Sequence, residues 1–213
     1  MSRRLKAALF HNFVAAGEQM AKARMIGQLR NNEYRVLTVK EELRKNLVAR
    51  IRKSQELFPG IVGYEETVIP HLENAILSGQ DVIFLGERGQ AKSRLIRALT
   101  QLLDDEIPII EGCEINDNPY APVCRRCIDL VAEKGDKTPI EWIGRDRRYS
   151  EKLATPDITV ADLIGEVDPI KVAEGRYLSD EFTIHYGLIP RTNRGIFCVN
   201  EMPDLSERIQ VGL

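Results

Sequence analysis

Hydrophobic positions along this chain repeat with two periods, and the change from one to the other marks its elements. Leu5, Leu9 and Phe13 recur every four residues, one face of an amphipathic helix. The surrounding SRRLKAALFHNFVAA has the early basic residues and short apolar stretch of a leader, but His11 and Asn12 interrupt it. It therefore reads as an appended helix, with Met20 and Met25 as alternative starts. After a polar break at Asn31 and Asn32, Thr38 and Glu41 have capping-box spacing, and Leu43, Leu47 and Ile51 follow at helical intervals. That helix is expected to run to about Leu57 and stop at Pro59 and Gly60. A second runs through Leu72 and Ile76 to Gly79, with Pro70 tolerated only in its first turn.

The period then changes. Val82 to Leu85 is apolar without alternation, as a parallel strand buried on both faces would be. It meets a glycine-rich turn and then a helical pattern. Ile107 to Ile110 reads as a second strand and Gly195 to Val199 as a third, so the expected fold is α/β, a parallel sheet flanked by helices. The connection from Glu111 to Arg194 is far longer than an ordinary α/β loop and must hold structure of its own. Within it DLVAEKG reads as a short helix, EWIGRDRRYSEKLATPD as polar loop and GRYLSDEFTIHYGLIP as a hairpin. The organisation read from this is a helical extension over residues 1–37 ahead of a core over 38–213, with an insertion at about 111–194.

Composition narrows the class. A hydrophobic fraction of 43% with 29% charged residues suits a globular chain of 213 residues, and excludes collagen-like, coiled-coil-only and wholly disordered readings. No stretch approaches the roughly 18 uninterrupted apolar residues of a membrane span, so no membrane partner is expected. The formal charge is −2, yet residues 1–55 hold thirteen Lys and Arg against four Asp and Glu. A solvated helical face accounts for this basic end more simply than a nucleic-acid partner does. Four Cys are too few for a disulfide framework, which points to a reducing cytoplasm.

Candidate chemistry centres on Gly86-Glu87-Arg88-Gly89-Gln90-Ala91-Lys92-Ser93, between an expected strand and an expected helix. Successive backbone N–H groups in such a turn converge on phosphate oxygens, and the helix start adds the positive end of its dipole. Gly86 permits the tight turn, Lys92 reaches the β and γ phosphates, and the Ser93 hydroxyl coordinates Mg²⁺. The usual signature has Gly immediately before the Lys; here that position is Ala91. The complementary half of such a site is a strand ending in acidic residues, and RGIFCVNEMPDL supplies it, with Asn200 and Glu201 at the carboxyl end of the third strand. Glu201 is placed to orient and polarise a hydrolytic water. Asn200 stands where an Asp would hold the Mg²⁺ shell, so it offers an oxygen without a charge.

Together these residues resemble the AAA+ ATPases, specifically the magnesium-chelatase ATPase-subunit group and its MoxR-like relatives. FPGIVGYEETV, at residues 58–68, is similar to the segment ahead of the nucleotide site in that group. The similarity continues through ADLIGEVDP, EGRY and YGLIPRTNRGIFCVNEMPDL, and covers roughly residues 38–213. The resemblance implies a P-loop fold with an insertion in and around helix 2, ATP and Mg²⁺ as ligands, and Ile61 and Val62 beside the adenine. It also implies ATP hydrolysis in a ring oligomer, usually a hexamer, that drives remodelling of a protein partner or metal insertion. A von Willebrand factor A domain protein is the kind of partner the group employs. The sensor strand, arginine finger and helical lid of the group would follow Leu213, so the chain reads as the front of an ATPase core, expected to bind nucleotide without efficient turnover on its own. An enhancer-binding transcription activator of the same superfamily is a rival reading, weakened because its GAFTGA loop does not occur.

Cys124-Arg125-Arg126-Cys127 forms a C-x-x-C pair with Cys113 eleven residues upstream. Tetrahedral zinc uses such a knuckle but needs four ligands, and His185 is the fourth candidate; free thiols are the alternative. A zinc-binding or interaction module without turnover is thus a further reading. Cys198 belongs to the expected third strand and its core. His11 and His71 have no metal-ligand spacing, Ser54, Ser78 and Ser150 lack nucleophile surroundings, and Arg145, Arg147, Arg148 and Tyr149 fit a phosphate contact, an acidic neighbour or a solvated loop.

Overall fold

In the computed structural model, which describes residues 22–168, 170, 173 and 181–212, a short helix α1 (Ile26–Asn31) precedes the first long one, α2 (Val39–Arg52). Thr38 caps α2 as its spacing to Glu41 predicts. The Glu41 N–H donates to the Thr38 hydroxyl at 3.2 Å, and the Thr38 N–H donates to a Glu41 carboxylate oxygen at 2.9 Å. The helix stops at Arg52, short of Leu57, because Ser54 takes a left-handed φ of 50° through which a right-handed helix cannot continue. Helix α3 (Val68–Ser78) keeps Pro70 in its first turn and ends on Gly79 at φ 67°. Helix α4 (Lys92–Leu99) follows the glycine-rich turn. Leu47, Leu72, Ile76, Leu95 and Leu99 of these helices bury one another, with Phe58, Ile61 and Leu102 filling the space between.

Six short strands form three pairs among the described residues. β1 (Glu106–Ile110) runs antiparallel to β2 (Ile140–Gly144), with α5 (Arg125–Lys134) between them in sequence. β3 (Tyr149–Leu153) runs parallel to β6 (Ile196–Asn200) in the register Tyr149 to Ile196 and Leu153 to Asn200. β4 (Gly165–Val167) runs antiparallel to β5 (Ile184–Tyr186), flanked by the single-turn helices α6 (Val160–Leu163) and α7 (Leu188–Arg191). Helix α8 (Glu207–Gly212) follows β6, and Leu205 and Ile209 bury with Ala154, Ile158 and Leu163. The chain is therefore mixed α/β with a parallel pair and flanking helices. No described helix is long and apolar enough to cross a membrane.

Several expectations change. Val82 to Leu85 is not a strand: no described strand pairs with it, and Ile83 and Leu85 are 74% and 90% exposed. Its hydrophobic pattern fits burial on two faces, but a strand exists only where a neighbour accepts and donates along its backbone. EWIGRDRRYSEKL, expected to be polar loop, instead forms β2, a 3-10 turn at Arg145–Arg148 and β3. The Ile107 strand pairs antiparallel rather than joining one parallel sheet. The second arm of the hairpin expected at GRYLSDEFTIHYGLIP pairs with Gly165–Val167, while its first arm and EGRY lie outside the described residues, as do the Leu5–Leu9–Phe13 face and Leu213. Residues from 22 onward pack on the body: Ala23, Ile26 and Leu29 bury against Ile140, and the Ile26 N–H donates to the Thr138 carbonyl at 3.1 Å.

Within the Arg run, Arg148 meets the acidic neighbour rather than solvent, because it is wholly buried. Its Nη1 and Nη2 donate to Glu42 Oε1 and Oε2 at 2.7 and 2.6 Å, and its Nε and Nη2 donate to the Arg194 carbonyl at 2.8 and 2.7 Å. Glu42, equally buried, also accepts from the Asp104 N–H. The chain passes so closely here that a Cβ on Gly195 would stand 2.2 Å from the Arg148 carbonyl oxygen. Arg148→Ala strands a buried carboxylate and is expected to cost about 3–5 kcal/mol. Glu42→Leu combined with Arg148→Met leaves no lone buried charge, so in urea unfolding the double variant should be more stable than Arg148→Ala.

Candidate functional site

The turn at residues 86–93 uses three left-handed positions to reverse direction into α4: Gly86 at φ 154°, Gly89 at φ 84° and Ala91 at φ 55°. At Gly86 a Cβ would stand 2.1 Å from the Gln90 Oε1, whereas at Gly89 it would meet nothing within 4 Å among the described residues. Ala91 is the residue that caps α4, and its conformation is the one that the usual glycine adopts without cost. Lys92 folds back on the turn, its Nζ donating to the Gly86 and Glu87 carbonyls at 2.6 and 2.7 Å. Glu87, Arg88, Gly89, Gln90 and Ser93 are exposed, and the Gln90 carbonyl accepts from the Tyr64 hydroxyl at 3.1 Å. The lysine and Gln90 thus fill the mouth of the turn from within.

Beside it opens a cavity of about 250 Å³ between α3, the 82–85 run and α4. Tyr64, Val68, Phe84 and Leu95 supply apolar wall, and Gln90 and Lys92 its polar end. Ile61 and Val62 do not line it: Ile61 is buried in the helical core and Val62 is 83% exposed. Tyr64 and Val68, a few residues later, take the wall position instead.

At the end of β6, Asn200 is engaged by a carboxylate from the neighbouring strand. Its Nδ2 donates to Glu151 Oε1 at 2.7 Å. Glu151 also accepts from Arg97 Nε and Nη2, each at 2.8 Å, and from the Tyr149 hydroxyl at 2.8 Å. The Arg97 bonds, helped by those of Tyr149 and Asn200, hold the Glu151 carboxyl down at about 2. Arg97 belongs to α4, so one network links the helix after the glycine turn to both strands of the parallel pair. Sequence reasoning missed Glu151, which carried no signal inside a segment read as loop. Glu201 follows at φ 54° and is exposed, a strained conformation of the kind that clusters at functional positions.

Away from this region, the Sγ atoms of Cys113, Cys124 and Cys127 and a carboxylate oxygen of Asp117 lie within 4.8 Å of one another, and all four residues are buried. His185, the expected fourth candidate, is exposed on β5 and is not in this group; Asp117 takes its place because the loop after β1 folds back onto the start of α5. Burial pushes the Cys124 thiol up to about 11, while a hydrogen bond from Cys127 draws Cys113 down to about 7. Cys198 is buried in β6 as expected.

Curated relatives share this sequence over most of its length. The magnesium-chelatase subunit ChlI homolog of Methanocaldococcus jannaschii is 30% identical over 160 residues, 71% of this chain and 39% of that protein. The magnesium-chelatase subunits ChlI of Nephroselmis olivacea and of a Nostoc species are each 32% identical, over 165 and 163 residues, 71% of this chain and 41% and 39% of theirs. The chain belongs to the ChlI-like AAA+ group. It spans about two fifths of the length of these relatives. No family profile matches it, and no solved structure does.

Two measurements test the geometry of this ChlI-like chain. A left-handed alanine costs about 1–2 kcal/mol, and glycine loses about 0.4–1 kcal/mol through the freer unfolded chain. Ala91→Gly is therefore expected to stabilise by about 0.5–1 kcal/mol, read as a higher urea midpoint; a lower midpoint would show that the turn is unstrained. Because the Glu151 carboxyl is depressed, its contribution is present above the ordinary value near 4.5 and is lost as pH falls toward about 2. Glu151→Gln should flatten the loss of stability over that interval relative to the parent.

Proposed function

We propose that this chain is the nucleotide-binding front of a ChlI-like AAA+ ATPase. The observation that carries this reading is the Gly86–Ser93 turn, with the Lys92 ammonium held inside it and an apolar cavity at its side. The donor set fits a triphosphate. Among the described residues Lys92 bonds to two exposed main-chain carbonyls, and an ammonium exchanges such bonds for charge-assisted bonds to phosphate oxygens. Gly89 has open space where a side chain would obstruct the approach. Main-chain N–H groups of Gly86, Glu87, Arg88, Gly89, Gln90 and Ala91, together with the start of α4, would hold the phosphates, and the cavity wall at Tyr64 and Val68 would hold the base.

ATP with Mg²⁺ supplies the transferable phosphoryl group and the cation that neutralises its developing charge. Within the chain, the Ser93 hydroxyl is the metal ligand. Asn200, whose Nδ2 is occupied by Glu151 and whose Oδ1 accepts from the Cys198 thiol at 3.6 Å, contributes the second lone pair of that oxygen. Glu201, exposed at the strand end, orients the water. Hydrolysis belongs to a ring oligomer, a hexamer in this reading, in which a neighbouring copy completes each site. Turnover drives remodelling of a protein partner, with a von Willebrand factor A domain protein as its associate, or a magnesium-chelatase-like metal insertion, in the cytoplasm. The uncharged Asn200 favours one further reading, a module that binds nucleotide without turning it over.

Calorimetric titration with Mg²⁺ and ATP tests the first step. Binding is expected, weakened at least about 10-fold in Lys92→Ala with the loss of one charge-assisted contact, and no heat at millimolar nucleotide would overturn the reading. In the assembled oligomer Glu201→Gln is expected to retain ATP without turnover. Hydrolysis at the parent rate would remove Glu201 from its role, and a parent oligomer that binds without hydrolysing would favour the non-hydrolysing module.

A further inference from the structure

The loop after β1 and the first turn of α5 bring three sulfurs and one carboxylate to a single buried point. Cys113 and Cys124 Sγ are 4.0 Å apart, and all four ligand atoms lie within 4.8 Å of one another. Tetrahedral zinc with Zn–S bonds of about 2.3 Å holds its sulfurs about 3.8 Å apart, so the observed cluster needs only a slight contraction. A thiol-rich apolar pocket would account for the cysteines alone, which pack with Ile110 and Ile115. It does not account for Asp117. That side chain is fully buried, one oxygen accepts from the Cys124 N–H at 3.0 Å, and Oδ1 has no hydrogen-bond partner among the described residues. A buried carboxylate oxygen without a partner costs several kcal/mol unless a cation faces it.

We infer that Cys113, Asp117, Cys124 and Cys127 form a closed structural zinc site. On binding, the three thiols lose their protons to solvent and four ligands satisfy the ion. The excess negative charge is balanced locally. Cys124 caps α5 and Cys127 lies in its first turn, at the positive end of the helix dipole, and Arg126 Nη1 approaches Cys127 Sγ at 4.0 Å. Arg194, largely buried, donates from Nη1 to the Asp117 carbonyl at 3.5 Å.

The site also has mechanical reach. Asn116 Nδ2 donates to the Arg191 carbonyl at 3.0 Å, and Asn193 Nδ2 donates to the Ile115 carbonyl at 3.0 Å. The metal knot thereby fixes the loop against the turn from which β6 departs. This inference does not depend on nucleotide binding, and metal content can be read without ATP.

The protein purified without chelators is expected to carry about one equivalent of zinc per chain by elemental analysis. Cys198→Ser should keep it, whereas Cys124→Ser with Cys127→Ser should lose it. Asp117→Asn, which retains all three sulfurs but removes one anionic ligand, is expected to bind zinc at least about 10-fold more weakly in chelator competition, since removing a ligand should cost no less than removing an outer-shell partner. Cobalt exchanged into the parent should give thiolate charge-transfer and tetrahedral d–d absorption, a readout that requires no variant to fold. Zinc below about a tenth of an equivalent, with no uptake on titration, would overturn the site. So would a Cys113–Cys124 disulfide in the purified protein, or bound iron with sulfide.

Discussion

The carboxylate of Glu42 and the guanidinium of Arg148 meet as a two-pronged ion pair with both side chains buried. Neither charge is tolerable alone in that position, so each dictates where the other element must lie. Helix α2 is thereby fixed to the turn that launches β3, and the Arg194 carbonyl, which accepts two bonds from the same guanidinium, brings in the residue before Gly195 and β6. The Arg194 side chain continues outward to the Pro108 carbonyl of β1 at 2.7 Å. Burial lowers its guanidinium to about 10, which leaves it charged at neutral pH. One polar node therefore ties the helical layer to two of the three strand pairs.

That node explains why the two halves of the nucleotide reading occupy one framework. β3 and β6 leave it side by side and parallel, so their carboxyl ends carry Leu153 and Asn200 in register. Glu151 on β3 turns to Arg97 of α4 and to Asn200 of β6. The helix that begins at Lys92 is in this way oriented by the strand that ends at Asn200. The glycine turn itself is held more loosely, by exposed bonds from its own lysine. That arrangement suits a segment whose occupants change, since opening it breaks few buried contacts.

The cysteine cluster is joined to the same node through Arg194. Asp117 is coupled to Arg194 through its carbonyl, and the neighbouring Asn116 and Asn193 lock the loop to the turn before β6. A cation there would brace the same strand that Glu42 and Arg148 position from the helical side. Both supports act on a turn whose close approach at Gly195 leaves no room for a side chain.

What this sequence determines by itself is what depends on neighbours a few residues away. The Thr38–Glu41 cap, the stop at Gly79, the α4 start at Lys92, the short helix within DLVAEKG and the β6 strand are legible because their hydrogen bonds and apolar periods close within one or two turns. Three of the four cluster ligands were equally visible, as a C-x-x-C pair and a nearby Cys. Tertiary structure alone decided the remainder. Arg148 finds Glu42 across 106 residues, Glu151 finds Asn200 across 49, and Asp117 rather than His185 joins the cysteines. Val82 to Leu85 shows the same limit from the other side: its apolar run fits a central strand, yet no described strand lies beside it. Hydrophobic pattern records which faces avoid water, whereas pairing, register and charge partnership depend on which distant segment arrives, and no local spacing encodes that.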